Sequence, residues 1–297
     1  MRVDRQVEEK LEELLPLAPL HNAPALKAMR IAREVFPNVP FVAAFDTAFH
    51  VRRPRESLRY ALPAEWDEEF RFRRYGFHGL AHESLARALA GAEGIAFDDV
   101  FAVTLQLGAG CSACAIRNGR SIETSMGYTP LEGLVMATRC GNIDPDIVLR
   151  LVRAGLTPDE IEERLNRRSG LRGLAGTGDM REVLAGDVRG DRDARLALKV
   201  FLHRLVKEVG AYLTLLEGDG AIVFGGGIGS NSPEVRAGVA AGLGAWNVAL
   251  EPALNLANGP GRISKKGTRS VYVFETAEER LIAESMNERF AELTGDA

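Results

Sequence analysis

The most constraining stretch of the chain is Val100–Arg120, which writes two strands and two turns in succession. Val100–Leu107 is an apolar, β-rich run that ends in Gly108-Ala109-Gly110. Cys111–Ile116 is a second such run, followed by Asn118-Gly119. Asn-Gly is the strongest short hairpin signal, because both residues tolerate positive φ. Two strands joined at Gly108–Gly110 and a third after Asn118-Gly119 predict an antiparallel meander. Further on, Ala221–Phe224 is a buried strand that runs into Gly225-Gly226-Gly227-Ile228-Gly229, and Pro233 opens a helix.

Helices surround these strands. Asp146–Ala154, Pro158–Asn166 and Asp191–Leu216 carry helical patterns. The last places Leu198, Leu202, Leu205, Val209, Tyr212 and Leu216 on one face. Residues 5–16 predict an amphipathic helix, and Ala25–Phe36 and His82–Leu89 two more. The proline-studded LAPLHNAPA between the first two predicts irregular chain. Val39–Phe45 predicts a short buried strand closed by Asp46. Residues 52–75 predict loop with short turns. Val271–Phe274 predicts a strand, and Thr276 caps a final helix with Glu279 at capping-box spacing. Strands alternating with helices around one meander give an α/β class with a mixed sheet.

Composition narrows the function. The 297 residues include 46% hydrophobic and 26% charged, a globular balance, and the net charge of -4 offers no bulk attraction for nucleic acid or acidic membranes. Three cysteines make no disulfide framework, so a reducing cytoplasm is expected. Cys111 and Cys114 form a C-x-x-C, but residues three apart on a strand point to opposite faces, which argues against a redox or zinc site. His203 reads as a surface or packing residue. Phe45, Phe49, Tyr75 and Phe77 read as core.

Glycine-rich turns after strands let backbone N–H groups approach an anion. Gly108–Gly110 and Gly225–Gly229 both fit that use, although neither matches a P-loop or a dinucleotide fingerprint. Close packing explains either turn alone. Two of them bring nucleotide binding level with packing. Asp46 at a strand end, and His78 and Arg139 among glycines in GFHGL and TRCGN, are placed to meet a ligand or to make structural hydrogen bonds.

Several phrases taken together resemble the acetate kinase family, which includes propionate and butyrate kinases. They are LAPLHN (17–22), FDTAFH (45–50), RRYGFHG (73–79), TSMGYTPLEGLVMATR (124–139), SGLRGL (169–174), GGGIGSN (225–231) and TAEE (276–279). The resemblance covers essentially the whole chain. It implies the actin-like ATPase (ribonuclease H-like) fold, ATP and Mg²⁺ as cofactors, a homodimer, and a small carboxylate substrate such as acetate or propionate, with neither nucleic acid nor membrane as partner. It places catalytic roles on Asp46, His78, Arg139 and His21. It places the phosphate turn on Gln106, Leu107, Gly108, Ala109 and Gly110. Adenosine contacts fall on Asp179, Met180 and Arg181 and on Gly227, Ile228, Gly229, Ser230 and Asn231, and a metal-associated glutamate on Glu278.

The chain departs from the family pattern in two places. Family members open with a VxNxGSSS strand–turn–strand and carry a substrate arginine before LPLAPLHN, which stands at 15–22 here. The resemblance therefore implies that residues 1–48 are the remainder of an N-terminal domain, with the final helix (277–297) packing back on it, and that 49–276 form a nucleotide-binding and dimerisation domain. The family's H-L-G-N-G turn also reads Gln106-Leu107-Gly108-Ala109-Gly110, with two side-chain donors replaced. The leading reading is an acetate kinase-like ATP:carboxylate phosphotransferase. The alternative is a non-catalytic nucleotide-binding or dimerising remnant of such an enzyme. A sugar kinase on the same fold is disfavoured by FDTAFH and TPLEG.

Overall fold

The computed structural model describes residues 3–13, 19–39, 41–217 and 220–288. At its centre is a six-stranded mixed sheet in the order β3-β2-β1-β4-β6-β5. The strands are β1 (Ala102–Leu107), β2 (Cys111–Arg117), β3 (Arg120–Thr124), β4 (Ala221–Gly225), β5 (Gly261–Arg262) and β6 (Val271–Val273). The meander expected from the two turns forms: β1–β2 and β2–β3 are antiparallel. Asn118 and Gly119 take φ of 51° and 67°, as the hairpin turn requires. β1 also pairs with β4 in parallel, with Gln106 opposite Gly225. That register sets the carboxyl ends of β1 and β4 side by side, the usual ligand position in an open α/β sheet.

Alternation along the strands builds a core on each face. Val103, Leu105, Leu107, Cys111, Ala113 and Ala115 face one side, together with Phe201, Leu205, Val209 and Tyr212 of α10 (Arg192–Leu215). Ala102, Cys114, Ile116 and Val223 face the other side, against Leu85, Ala86 and Leu89 of α5 (Gly79–Glu93). Cys111 and Cys114 thus sit on opposite faces, and burial pushes each thiol up to about 12. His203 is exposed. Phe45, Phe49, Tyr75 and Phe77 are only half-buried, with Phe49 and Phe77 at the edges of the two cores.

The remaining helices follow the sequence pattern where apolar periodicity is strong. They are α1 (Arg5–Glu13), α2 (Pro19–Val35), α3 (Arg55–Leu58), α4 (Ala64–Phe70), α6 (Pro145–Arg153), α7 (Pro158–Arg167), α8 (Gly170–Ala175), α9 (Met180–Val188), α11 (Gly226–Asn231), α12 (Pro233–Gly242), α13 (Pro252–Leu256) and α14 (Glu278–Glu288). Caps explain the sharp starts. Asp144 caps α6, Asp191 caps α10, and Thr157 and Glu160 form a full capping box on α7.

Four expectations fail in the N-terminal third and at the last helix. Residues 52–75 are not loop throughout, because α3 and α4 form within them. LAPLHNAPA is not irregular throughout, because α2 begins at Pro19 and continues through Pro24. Proline suits the first turn at Pro19, and Pro24 forgoes one intrahelical bond while the rest of α2 continues. Among the described residues Val39–Phe45 forms no named strand: Val42 makes an isolated bridge, and the Val3 N–H donates to Phe41 O at 2.8 Å. Thr276 is not the cap of the last helix: α14 starts at Glu278, and the N–H of Ala277 finds the Ser84 hydroxyl of α5 at 3.3 Å.

Candidate active site

The site grows from the start of α5. Asp46 lies in a turn leading to a short 3-10 helix, Ala48–His50, and docks on the N-terminus of α5. Its Oδ2 accepts the His78 N–H at 2.6 Å, and its carbonyl accepts the Gly79 N–H at 2.7 Å. A Cβ at Gly79 would lie 2.2 Å from the Asp46 carbonyl oxygen, so only glycine permits this approach. His78 itself takes φ of 58°, the left-handed conformation, which is rare for a side chain of its size.

The glycine turn after β1 lies against this imidazole. A Cβ on Gly110 would stand 3.1 Å from His78 Cε1, 3.2 Å from its Nε2 and 3.7 Å from Arg139 Nη1. The turn, the histidine and the guanidinium therefore converge on one small space. Arg139 Nη1 donates to the Pro130 carbonyl at 3.0 Å, and burial holds the guanidinium below its ordinary value. No carboxylate pairs with it among the described residues.

The loop carrying Arg139 is tied on both sides. Ala137 N–H donates to Ala109 O at 3.2 Å, which joins it to the glycine turn. Gly170, with φ of 62°, lies so close that a Cβ would meet Met136 O at 2.2 Å and Arg139 O at 2.7 Å. Glu132 anchors the near end by accepting from Tyr60 and Arg74. Asn142 Oδ1 accepts the Gly133 N–H at 2.9 Å and closes the far end.

The second glycine turn is beside the first. A Cβ on Gly226 would meet Leu107 O at 2.6 Å, and Gly226 takes φ of 74°. Gly227 opens onto free space, Ser230 donates to Phe274 O at 3.2 Å, and Asn231 donates to Gly227 O at 3.0 Å. Behind this turn Arg236 is wholly buried and donates to Gly229 O, Ser230 O, Asn255 and Asn258 at 2.6–2.9 Å.

Glu278, at the start of α14, completes the near side. Burial raises its carboxyl above the usual range, and the negative charges of Asp46 and then Glu279 raise it further. Two carboxylates that repel in this way suit a hard cation shared between them. Gln106 Oε1 is buried with no hydrogen-bond partner, a polar atom left for a ligand or water at the end of β1. These two observations fit a metal–phosphate group. A cleft of about 710 Å³ lies at Asp179 and Arg181, where Asp179 caps α9 and is held down to about 2 by its bonds from Arg181. Its neighbour Gly178 abuts Ala137 O, 3.0 Å from a would-be Cβ, which links this cleft to the loop of Arg139.

The structure thus gathers Asp46, His78, Arg139, Glu278 and the turns at 106–110 and 227–231. Asp179–Arg181 stand one loop away. The Leu107 and Met180 side chains lie in the core, which leaves only their backbones to face a ligand. His21 lies in α2, and its side chain is outside the described residues. Sequence reading missed Ser112 and His82, which stand behind His78. His82 carried a signal, one helical turn after His78, whereas Ser112, alternating with Cys114 on the α5 face of β2, carried none of its own.

Comparison with known proteins gives the family and the fold. The acetokinase family model matches residues 1–284. The acetate kinase of Leifsonia xyli is 49% identical over 281 residues, spanning 93% of this chain and 71% of that protein. The acetate kinase of Campylobacter fetus is 44% identical over 286 residues, 95% of this chain and 72% of that protein. A propionate kinase structure from Francisella tularensis superposes with a TM-score of 0.92 at 37% identity, covering 96% of this chain and 73% of that one. The acetate kinase structure from Porphyromonas gingivalis gives 0.90 at 35%, covering 96% and 73%. The fold is therefore that of the actin-like ATPases, and the chain belongs to the acetokinase family.

Proposed function

We propose that the chain transfers the γ-phosphoryl group of ATP to a carboxylate oxygen of a short acid, acetate or propionate, giving an acyl phosphate and ADP. The observation that carries this reading is the meeting of His78, Arg139 and Gly110 beside Asp46 at the start of α5. A carboxylate is already an anionic nucleophile, so no base is required. The difficulty is to bring it to an anionic phosphate and to hold a metaphosphate-like transition state. Arg139 supplies positive charge and His78 a ring N–H toward the equatorial oxygens. The two glycine turns let backbone N–H groups close on the phosphates, and the cleft at Asp179–Arg181 is the place for the adenosine. Mg²⁺ held through Asp46 and Glu278 would neutralise phosphate charge. Asp46 also fixes His78, because its carboxylate takes the backbone N–H of that residue.

We read the active species as a cytoplasmic homodimer whose 49–276 segment carries nucleotide binding and subunit contacts. Three free cysteines support a reducing compartment, and among the described residues no helix is long and apolar enough to cross a membrane. Ile147, Leu149 and Val152 on α6 are each nearly half exposed, which supports a subunit contact there. α14 packs on α5 and brings Glu278 to Asp46, which supports the return of the last helix to the 1–48 segment.

The test is hydroxamate trapping of acyl phosphate with ATP, Mg²⁺ and either acetate or propionate. The comparison of the two acids settles the substrate. Turnover that is lost in Arg139→Ala supports the reading; tight ATP binding with no acyl phosphate from the native chain overturns it.

A further inference from the structure

Behind His78 runs a line of buried polar groups. His78 Nδ1 lies 2.8 Å from Ser112 Oγ, Ser112 Oγ lies 2.8 Å from His82 Nε2, and His82 Nδ1 lies 2.8 Å from Thr104 Oγ1. Thr104, His82 and Ser112 have no solvent exposure. Each hydroxyl in such a line has one proton to give, and a neutral imidazole has one N–H. If both rings donated to Ser112, its own hydroxyl proton would have no acceptor among the described residues, which leaves two directions along the line.

In one direction His78 donates to Ser112, Ser112 to His82, and His82 to Thr104. The Thr104 hydroxyl proton would then point into the core, because its hydrogen bond among the described residues is the one to His82. A buried hydroxyl donor without an acceptor is costly. In the other direction Thr104 donates to His82 Nδ1, His82 Nε2–H donates to Ser112, and Ser112 donates to His78 Nδ1. Every proton then has an acceptor.

We infer that Thr104, His82 and Ser112 are positioning residues that fix the tautomer of His78, placing its proton on Nε2, the atom facing Gly110 and Arg139. His82 is suited to this role because burial, with the neighbouring His50 and His78, keeps it neutral far below its ordinary value. The consequence is that His78 meets the transferring phosphoryl group as a neutral hydrogen-bond donor with a set direction, and Arg139 alone brings the charge. A partner that fixes a ring tautomer from behind is worth roughly 10–100-fold in known sites of that kind. This inference rests on the proposed role of His78, but its structural half stands apart from catalysis.

Nitrogen-15 NMR of histidine-labelled protein tests it, with the His78 signals assigned by their loss in His78→Asn. The native protein should show His78 protonated at Nε2 and bare at Nδ1. Ser112→Ala should mix the two tautomers and lower kcat roughly 10–100-fold with the KM for ATP little changed, and Ser112→Thr should restore both. Nδ1–H in the native protein overturns the inference, whether or not Ser112→Ala folds. Unchanged ring signals in a folded Ser112→Ala overturn it too, and mixed tautomers with full kcat overturn its catalytic half. If no acyl phosphate forms in any assay, the function proposal fails and the tautomer result still stands on its own.

Discussion

The carboxylate of Asp46 holds His78 by its backbone, not by its ring: Oδ2 takes the His78 N–H at 2.6 Å. One ring nitrogen of His78 lies toward Ser112, and the other toward Gly110. The left-handed φ of 58° is the cost of that arrangement, and the Asp46 bonds to residues 78 and 79 are what over-determine it.

The space between Gly110 and the His78 ring is narrow. Gly110→Ala puts a methyl 3.1–3.2 Å from the imidazole and 3.7 Å from the guanidinium. Gly110 has no positive φ, so the backbone accepts alanine without strain. We expect a melting temperature close to native and a kcat reduced about 100-fold or more, as for loss of a positioned donor. Steady-state kinetics beside a thermal melt check both halves.

Arg236 is a buried cation whose hydrogen bonds go to carbonyl and amide oxygens, not to a carboxylate. Arg236→Leu would leave Gly229 O, Ser230 O and Asn255 O without their donor and loosen the turn that precedes α12. Each buried acceptor left unsatisfied costs about 1–3 kcal/mol. Urea unfolding should show a loss of several kcal/mol, and calorimetry on folded protein a weaker affinity for ATP.

His50 is buried with Nε2–H donated to Phe77 O and Nδ1 accepting from Ser121. Burial first, then the charge of Arg53, lowers its pKa to about 3. The folded value lies below the unfolded value, so this stabilisation is full above pH 6.5 and falls away as pH drops from 6.5 toward 3. The slope is up to about 1.4 kcal/mol per pH unit for one proton. Unfolding free energy measured from pH 7 to pH 4 should show this acid loss, and His50→Asn should flatten it.

Glu278 has the opposite sign. Its folded pKa is raised, so the folded state favours the protonated acid, and ionisation weakens the fold as pH rises above about the ordinary 4.5. In metal-free protein at pH 7, Glu278→Gln should melt at or above the native temperature, with the difference vanishing near pH 4. Added Mg²⁺ should reverse the order by stabilising only the native carboxylate. A Glu278→Gln protein that melts lower without metal would contradict the repulsion with Asp46.

The sheet was readable because each of its cues is local. Asn118-Gly119 dictated the hairpin, and alternation assigned Cys111 and Cys114 to opposite faces. The failures are where the cause is distant. Val39–Phe45 has a strand composition, but among the described residues only an isolated bridge at Val42 forms. α14 starts two residues after Thr276, and the intervening Ala277 N–H goes to a hydroxyl on α5. In the site, residues that announce themselves by glycine neighbours, such as His78 and Arg139, were visible. Ser112 and Thr104 were not, because a serine and a threonine inside apolar strands look like any other strand residue until His82 is seen between them. Likewise, two separate glycine turns gave no sign that the β1–β4 register would bring them together.

The most direct measurement is acyl phosphate formation by the native chain and by Asp46→Asn and Arg139→Ala. Asparagine keeps an oxygen for the His78 N–H, so Asp46→Asn should fold while removing the charge. The account predicts turnover in the native protein and a fall of about 100-fold or more in each folded variant. Native-level turnover in either folded variant, or ATP binding without any transfer by the native chain, would contradict it.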